Sequence, residues 1–364
     1  MNSAIFRIQN TVMDSPMLSR DLKRLLARVA AAKSAFREGR VTEAYQQWKS
    51  LAEDYLPLKK RRAYDPKNDR LDHGLIALNE SVCRRLLDPE GESRRIARYR
   101  NRKEALARRG IFPNVAIFSS ITANYDSVKI PEKLDPRFDY ILFSDRPVSG
   151  GDVWEVRPLT YREKDAGRTS RYVKMHPHVL LPDYETAIWI DANIMILGDL
   201  KPMLDRFLAS PDPIGAIPHP MRRNIYEELE ACIFQKKDKP TIMRKQIARY
   251  RKEGFHHDDL IEANFLTFKL RDSRTQDFLD RWWLEMQNGS KRDQLAINYA
   301  LSAAGASWHR LMHAPFSARN HPHLALVHHD HGRGPARKLI QMSLPALDSK
   351  MIFSQDRTIT LATS

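Results

Sequence analysis

Apolar and polar positions follow two different rhythms along this chain, and the change comes near residue 110. In residues 21–37, Leu22, Leu25, Leu26, Val29, Ala30 and Ala32 recur at helical spacing. Glu38-Gly39-Arg40 makes a turn, and residues 42–55 resume the pattern with Ala44, Trp48, Leu51 and Ala52 on one side. Two further helices are predicted over 75–87 and 94–109, and Gly110 and Pro113 punctuate their end. Beyond residue 113 short apolar runs replace the helical period. Strands are predicted at 115–119, 140–143, 154–157, 187–190, 194–197, 214–217, 266–270 and 308–311. Helical stretches at 166–180, 202–208, most of 225–255, 275–287 and 294–304 lie between them.

This alternation predicts an α/β domain with a mainly parallel sheet over residues 111–335. A basic helical region, 1–110, precedes it, and a tail, 336–364, follows; within the tail 339–352 fits a helix or a strand equally. Ligands of such sheets bind outside the carboxyl ends of the strands. Ser119, Asp145 and Asp191 all fall at predicted strand ends, so one crevice can gather them.

Asp191 and Asn193 carry the most chemistry. They interrupt the run Ala187-Ile188-Trp189-Ile190-Asp191-Ala192-Asn193-Ile194-Met195-Ile196-Leu197. A carboxylate and an amide oxygen in such apolar company are costly unless something polar or cationic satisfies them. Two hard oxygen donors suit Mg²⁺ or Mn²⁺ carrying a diphosphate. The competing reading is an Asp that caps a neighbouring loop. Arg171, Lys174 and His178 share a helix face, which can meet a diphosphate or lie exposed. His219 and Arg222 follow the 214–217 strand and can hold an anionic or sugar group, or form an exposed turn. Glu262 and Asn264 precede an apolar strand, where they can read sugar hydroxyls. Asp293 and Gln294 open a helix, so Asp293 is either a cap or a carboxylate presented to the crevice. His328-His329-Asp330-His331 is dense in metal-capable groups, of which one, His329 or His331, can realistically reach an ion.

Composition narrows the classes. The 364 residues suffice for two domains, and a hydrophobic fraction of 42% is ordinary for a globular chain. Cys83 and Cys232 make neither a disulfide framework nor a zinc pattern, which leads us to expect reduced thiols and a cytoplasmic setting. No apolar run approaches the roughly 18 residues of a membrane span, and residues 1–18 lack the apolar centre of a secretory leader. The net charge of +15 is uneven: residues 1–110 hold 25 Lys and Arg against 14 Asp and Glu, and the remainder 35 against 31. The arginine-rich run 94–109 can bind anionic lipid, acidic glycan or nucleic acid, or be a solvated helix face. Tyr99 is the only aromatic within it, which counts against nucleic acid.

Taken in order, the motifs of residues 112–332 resemble a nucleotide-sugar glycosyltransferase of the GT-A type. The order is that of the glycogenin-like families: Ser119 to Tyr125, Asp145, Arg171 with Lys174, Trp189-Ile190-Asp191-Ala192-Asn193, Asn264-Phe265, Asp293-Gln294 with Asn298, and His329 with Gly332. Tyr125-Asp126-Ser127, His219-Pro220-Met221-Arg222, Tyr226-Glu227-Glu228 and Arg292-Asp293-Gln294-Leu295 bring the chain closer to one family. It was once filed as a domain of unknown function and is known from plant mucilage and bacterial surface-polysaccharide proteins. Residues 35–51 separately resemble one tetratricopeptide-type hairpin, and a single copy implies a hairpin packed on the next domain rather than a solenoid.

The GT-A resemblance implies a Rossmann-like fold and a nucleotide-diphosphate donor, with a UDP-sugar expected. Ser119, Ile121 and Tyr125 would border the nucleoside, and Asp145 the base or ribose. Arg171 and Lys174 would approach the donor. Asp191 and Asn193 would form the Mn²⁺ or Mg²⁺ motif, with His331 or His329 as third ligand. His219, Arg222, Asn264 and Gln294 would serve the sugar and acceptor. Asp293, then Glu262, are the candidates for general base, and retaining or inverting chemistry stays open. Asn193 departs from the Asp usual in related families and brings no charge to a cation. The function implied is transfer to a glycan or lipid-linked acceptor in surface-polysaccharide assembly, at the inner face of an anionic membrane. A non-catalytic nucleotide- or glycan-binding protein is the alternative, and nucleic-acid binding through residues 94–109 a third.

Overall fold

A computed structural model describes residues 16–60, 73–149, 151–313, 316–319 and 321–327. The amino-terminal part is helical: α1 (Pro16–Arg37), α2 (Val41–Lys60), α3 (His73–Leu87) and α4 (Pro89–Ala107). The first three pack together around Leu25, Val29, Ala44, Trp48, Leu51, Ile76 and Cys83. Asp88 caps α4 by accepting a hydrogen bond from the Gly91 N–H, and Pro89 opens the helix, where a missing N–H costs nothing.

The predicted α/β region is a seven-stranded sheet flanked by helices. Its strands are β1 (Val115–Ile121), β2 (Phe138–Ser144), β3 (Trp154–Pro158), β4 (Thr186–Ile190), β6 (Ile214–Pro218), β7 (Ile261–Lys269) and β8 (Trp308–Arg310), in the order β3-β2-β1-β4-β7-β6-β8. β1 is parallel to β2 and to β4, β2 to β3, and β6 to β8; β7 runs antiparallel to both its neighbours. The run predicted as a strand after Asp191 does not join this sheet. It forms β5 (Ile194–Ile196), which among the described residues pairs only with β9 (Leu324–Leu326), in a separate two-stranded ribbon.

Both sheet faces are covered. One packs on α5 (Ala166–Met175), α10 (Ser273–Asn288) and α11 (Ile297–Ala303) through Phe118, Val173, Trp189, Phe278 and Trp282. The other packs on α4 and on α7 (Lys201–Ala209) through Ile96, Tyr99, Ile117, Met203 and Phe207. The long helix predicted over 166–180 is broken: Pro177 ends α5 and starts the single turn α6 (Pro177–Leu180). The 225–255 stretch is likewise two helices, α8 (Ile225–Phe234) and α9 (Pro240–Lys252), with their own core of Ile225, Met243, Ile247 and Tyr250.

Order along the sheet sets where a ligand can sit. The chain leaves β1 for β2 and β3 on one side, then returns to β4 on the other. The carboxyl ends of β1 and β4 therefore open at a switch point, where no crossover helix covers the gap.

Candidate active site

A cavity of about 670 Å³ occupies that opening, within the roughly 300–1,000 Å³ usual for small-ligand sites. Ile121, Tyr125, Arg171, Lys174, Asp191 and Asn193 all line it. So do His219, Arg222, Glu262, Asn264, Asp293 and Gln294, from elements far apart in sequence.

Its centre is an ion cluster. The Lys174 side chain is 1% exposed, and its ammonium donates to Asp293 Oδ2 at 2.6 Å. The same ammonium lies 3.7 Å from Asp191 Oδ1 and over the rings of Trp189 and Trp282, at 5.4 and 5.5 Å from their centres. Arg171 approaches Asp293 Oδ2 to 3.1 Å, at an angle that leaves its Nε without a hydrogen bond. Burial alone would raise the Asp293 carboxyl. Arg171 and Lys174, with Arg292 behind them, outweigh it and hold the group well below the usual carboxylate range. Asp293 is thus committed to two cations and is a poor general base, contrary to its place as first candidate. Its backbone carbonyl accepts from Trp282 Nε1 at 2.9 Å, which fixes it to α10.

Asp191 turns toward the cavity. Its Oδ1 accepts from Trp189 Nε1 at 2.8 Å, and its backbone N–H donates to the Asn264 carbonyl at 2.9 Å, tying the turn to β7. Asn193 is buried; its Nδ2 donates to the Val327 carbonyl at 2.9 Å and its Oδ1 is left without a partner. Two other cavity-lining oxygens share that state, Glu262 Oε2 and Asn264 Oδ1. The second oxygen of Glu262, Oε1, accepts from Arg319 Nε at 2.8 Å. Unmet buried acceptors are expensive, and three of them around one cavity mark where a ligand would donate or coordinate.

Part of the cavity wall is positive. Arg292 and Lys237 line it, and neither has a carboxylate within ion-pair reach among the described residues. The Arg292 Nε is buried without a hydrogen bond. Neither Lys237 nor Arg292 was singled out by sequence. Arg292 adjoins the Asp293-Gln294 motif, but nothing in the pattern separates a neutralised cation from an unneutralised one.

His219 Nδ1 accepts the backbone N–H groups of Met221 and Arg222 at 3.1 and 3.0 Å. Burial, then Arg222 and Arg319, push its imidazole down to about 3, so the ring is neutral. Arg222 is itself anchored by the buried Glu228.

Three predicted residues stand elsewhere. Ser119 lies on the opposite face of β1 from Ser120, the residue that reaches the cavity and bonds Ser170 at 2.6 Å across to α5. Asp145 is not in the cavity wall. Both its oxygens accept the Ala123 N–H, at 3.2 and 3.0 Å, and so hold a turn in which Ala123 and Asn124 take φ of 53°. That turn delivers Tyr125 to the rim. His178 turns away toward Asp280 at 3.5 Å, because Pro177 breaks the helix that was to align it. His329 and His331 lie outside the described residues.

Exposed arginines do crowd α4, but Tyr99 is buried against the Phe138 carbonyl, so the helix offers nucleic acid no aromatic to stack on. No described helix is long and apolar enough to cross a membrane.

Residues 152–320 match the family model described as TOD1/MUCI70, glycosyltransferase-like domain. This stretch is thus similar to a glycosyltransferase-like domain. The TOD1/MUCI70 match takes in Lys174, Asp191, Glu262 and Asp293 but not β1, β2 or the Asn193 partner Val327. Among solved structures, the apo form of the bifunctional glycosyltransferase WbbM aligns with a TM-score of 0.34 at 12% identity, over 55% of this chain and 38% of that one. The galactosyltransferase LgtC, in complex with donor and acceptor sugar analogs, aligns with a TM-score of 0.36 at 12% identity, over 63% of this chain and 95% of that one. Curated protein sequences gave no match.

Proposed function

We propose that the TOD1/MUCI70-like domain binds a nucleotide-diphosphate sugar, with a UDP-sugar the expected donor, and transfers the sugar to a hydroxyl of a glycan or lipid-linked acceptor in surface-polysaccharide assembly. One observation carries this reading. A single cavity pairs two cations that have no ion-pair partner among the described residues, Arg292 and Lys237, with unmet acceptors on Asn193, Asn264 and Glu262. A diphosphate answers the first set and sugar hydroxyls the second.

The cations would clamp the diphosphate and stabilise the charge it gathers as the anomeric bond breaks. Lys174, fixed between Asp293 and Asp191, would supply a further positive charge that needs no reorganisation. Asp191 and the unpartnered Oδ1 of Asn193 fit a divalent cation shared with phosphate oxygens, since such ions are commonly held by one or two protein oxygens plus substrate. When bound, Mn²⁺ or Mg²⁺ would act there as a Lewis acid on the diphosphate. Between the two carboxylates suggested as base, Glu262 keeps an unmet oxygen and answers a single cation, Arg319, whereas Asp293 holds both Lys174 and Arg171 on its Oδ2.

Purified protein should hydrolyse a preferred nucleotide sugar slowly in the presence of Mn²⁺ or Mg²⁺, and that sugar should raise its melting temperature. Asp191→Ala should abolish turnover; unchanged activity would sink the assignment. The uncharged Asn193 favours a second reading, donor binding without turnover. A melting shift with no hydrolysis or transfer to any acceptor would select it.

A further inference from the structure

The mouth of the cavity adjoins a corner of the surface with a composition of its own. α8 ends at Phe234, whose side chain is 87% exposed. The chain then reverses: the Lys236 N–H bonds the Ile233 carbonyl and the Lys237 N–H that of Cys232, each at 3.0 Å, with Lys236 in the left-handed region at φ of 53°. This end usually suits glycine; here it carries a lysine and leaves Phe234 projecting.

From Phe234 into the first turns of α9, Lys236, Lys237, Lys239, Arg244 and Lys245 are all exposed, as is Ile242. None of these five cations has a carboxylate within ion-pair reach among the described residues. The one acid of the segment, Asp238, is used internally. Its Oδ2 accepts from Ser290 Oγ at 2.7 Å and from the Lys291 N–H at 2.9 Å. The corner therefore presents positive charge around two apolar tips, a pairing that an anionic lipid surface satisfies on both counts.

We propose that residues 234–245 dock on an anionic membrane, with Phe234 seated at the headgroup boundary and the lysines on headgroup charge. Ala231, Cys232, Gln235 and Lys237 belong both to this corner and to the cavity wall. Docking there brings the mouth against the lipid, where a lipid-linked acceptor presents its sugar. The rival basic face is α4, with Arg98, Arg100 and Arg102 exposed and Phe112 71% exposed beyond its end. Phe112 sits just ahead of Val115, at the amino end of β1, whereas the cavity opens at the carboxyl end. Docking through that side would point the mouth away from the membrane. The inference goes beyond donor binding and stands without it.

Co-sedimentation with vesicles of phosphatidylcholine, with and without phosphatidylglycerol, tests this with no turnover read. Full-length protein should bind the mixed vesicles only, and less as salt rises. Lys236→Glu/Lys239→Glu should weaken binding about tenfold or more. Phe234→Ser should also weaken it, and Arg100→Glu/Arg102→Glu should not. Phe234→Cys can be labelled selectively with a polarity-sensitive dye, because Cys83 and Cys232 are buried. Its emission should shift to the blue on adding mixed vesicles. Absence of binding, binding abolished by the α4 change instead, or a dye that stays in water would each overturn the proposal.

Discussion

Replacing Lys174 by methionine keeps the length of the side chain and removes its charge, which leaves the buried Asp293 carboxylate with Arg171, at 3.1 Å, and Arg292 behind it. Taking one partner from a buried ion pair typically costs about 3–5 kcal/mol. Because Arg171 remains, the lower end applies, about 3 kcal/mol. For an α/β unit of this size each kcal/mol moves the midpoint by roughly 2–4 °C, so Lys174→Met should melt about 6–12 °C below the wild type at neutral pH. Adding Asp293→Asn should recover part of the loss, with a coupling of about 1–3 kcal/mol. The acid side has a definite sign. The Asp293 carboxyl is held low in the fold, so its contribution is present above the unfolded value of about 3.9 and is lost as pH falls through the folded one. Lys174→Met raises the folded value, so the variant should begin acid unfolding at higher pH. Circular dichroism followed against temperature and against pH reads both effects. A variant that melts with the wild type and shares its acid midpoint would refute the buried clamp.

Arg292→Ala should weaken nucleoside diphosphate binding by roughly 10- to 100-fold in calorimetry, the scale of a charge-assisted hydrogen bond, while changing the melting temperature little. Asp145→Ala should raise the donor KM several-fold with kcat less affected, because the turn at Ala123 and Asn124 loses its anchor; an unchanged KM would show that the turn holds itself. His219 is held down to about 3, below its unfolded value near 6.5, so the stability it lends is complete above that value and is lost as pH falls. His219→Gln should therefore lose less of its melting temperature than the wild type between about pH 6.5 and pH 4.

Part of this was legible because some motifs sit where a strand stops. Asp191 follows a four-residue apolar run, 187–190, that has no other use than a buried strand, and β4 is buried along its whole length. The pairing of Arg171 with Lys174 on one face followed from helical spacing alone. Ser119 and Asp145 were misplaced for different reasons. A strand alternates its faces, so an end position one residue too early sends the side chain to the wrong side, and it is Ser120, not Ser119, that reaches the cavity. Asp145 does lie at a strand end, but its carboxylate is spent on the Ala123 N–H, a contact between loops that no local pattern encodes. Glu262 and Asn264 were read as leading into β7 and instead lie within it, beside a register slip opposite Ala216 and Ile217. Polar residues in a strand interior look like its outside until the cavity is known. Lastly, the weak basicity of Asp293 depends on two cations arriving from α5, more than a hundred residues earlier.

Ala77 and Leu78 on α3 pack against Met195, Ala325 and Val327, and Val327 in turn exchanges hydrogen bonds with Asn193. Glu132, beside β5, is gripped by Arg84 and Arg85 of the same helix. Anyone trimming this gene at the composition break near residue 110 would thus strip the backing from the very loop that carries Asn193. Inertness in such a shortened protein would report a lost brace, not a lost chemistry.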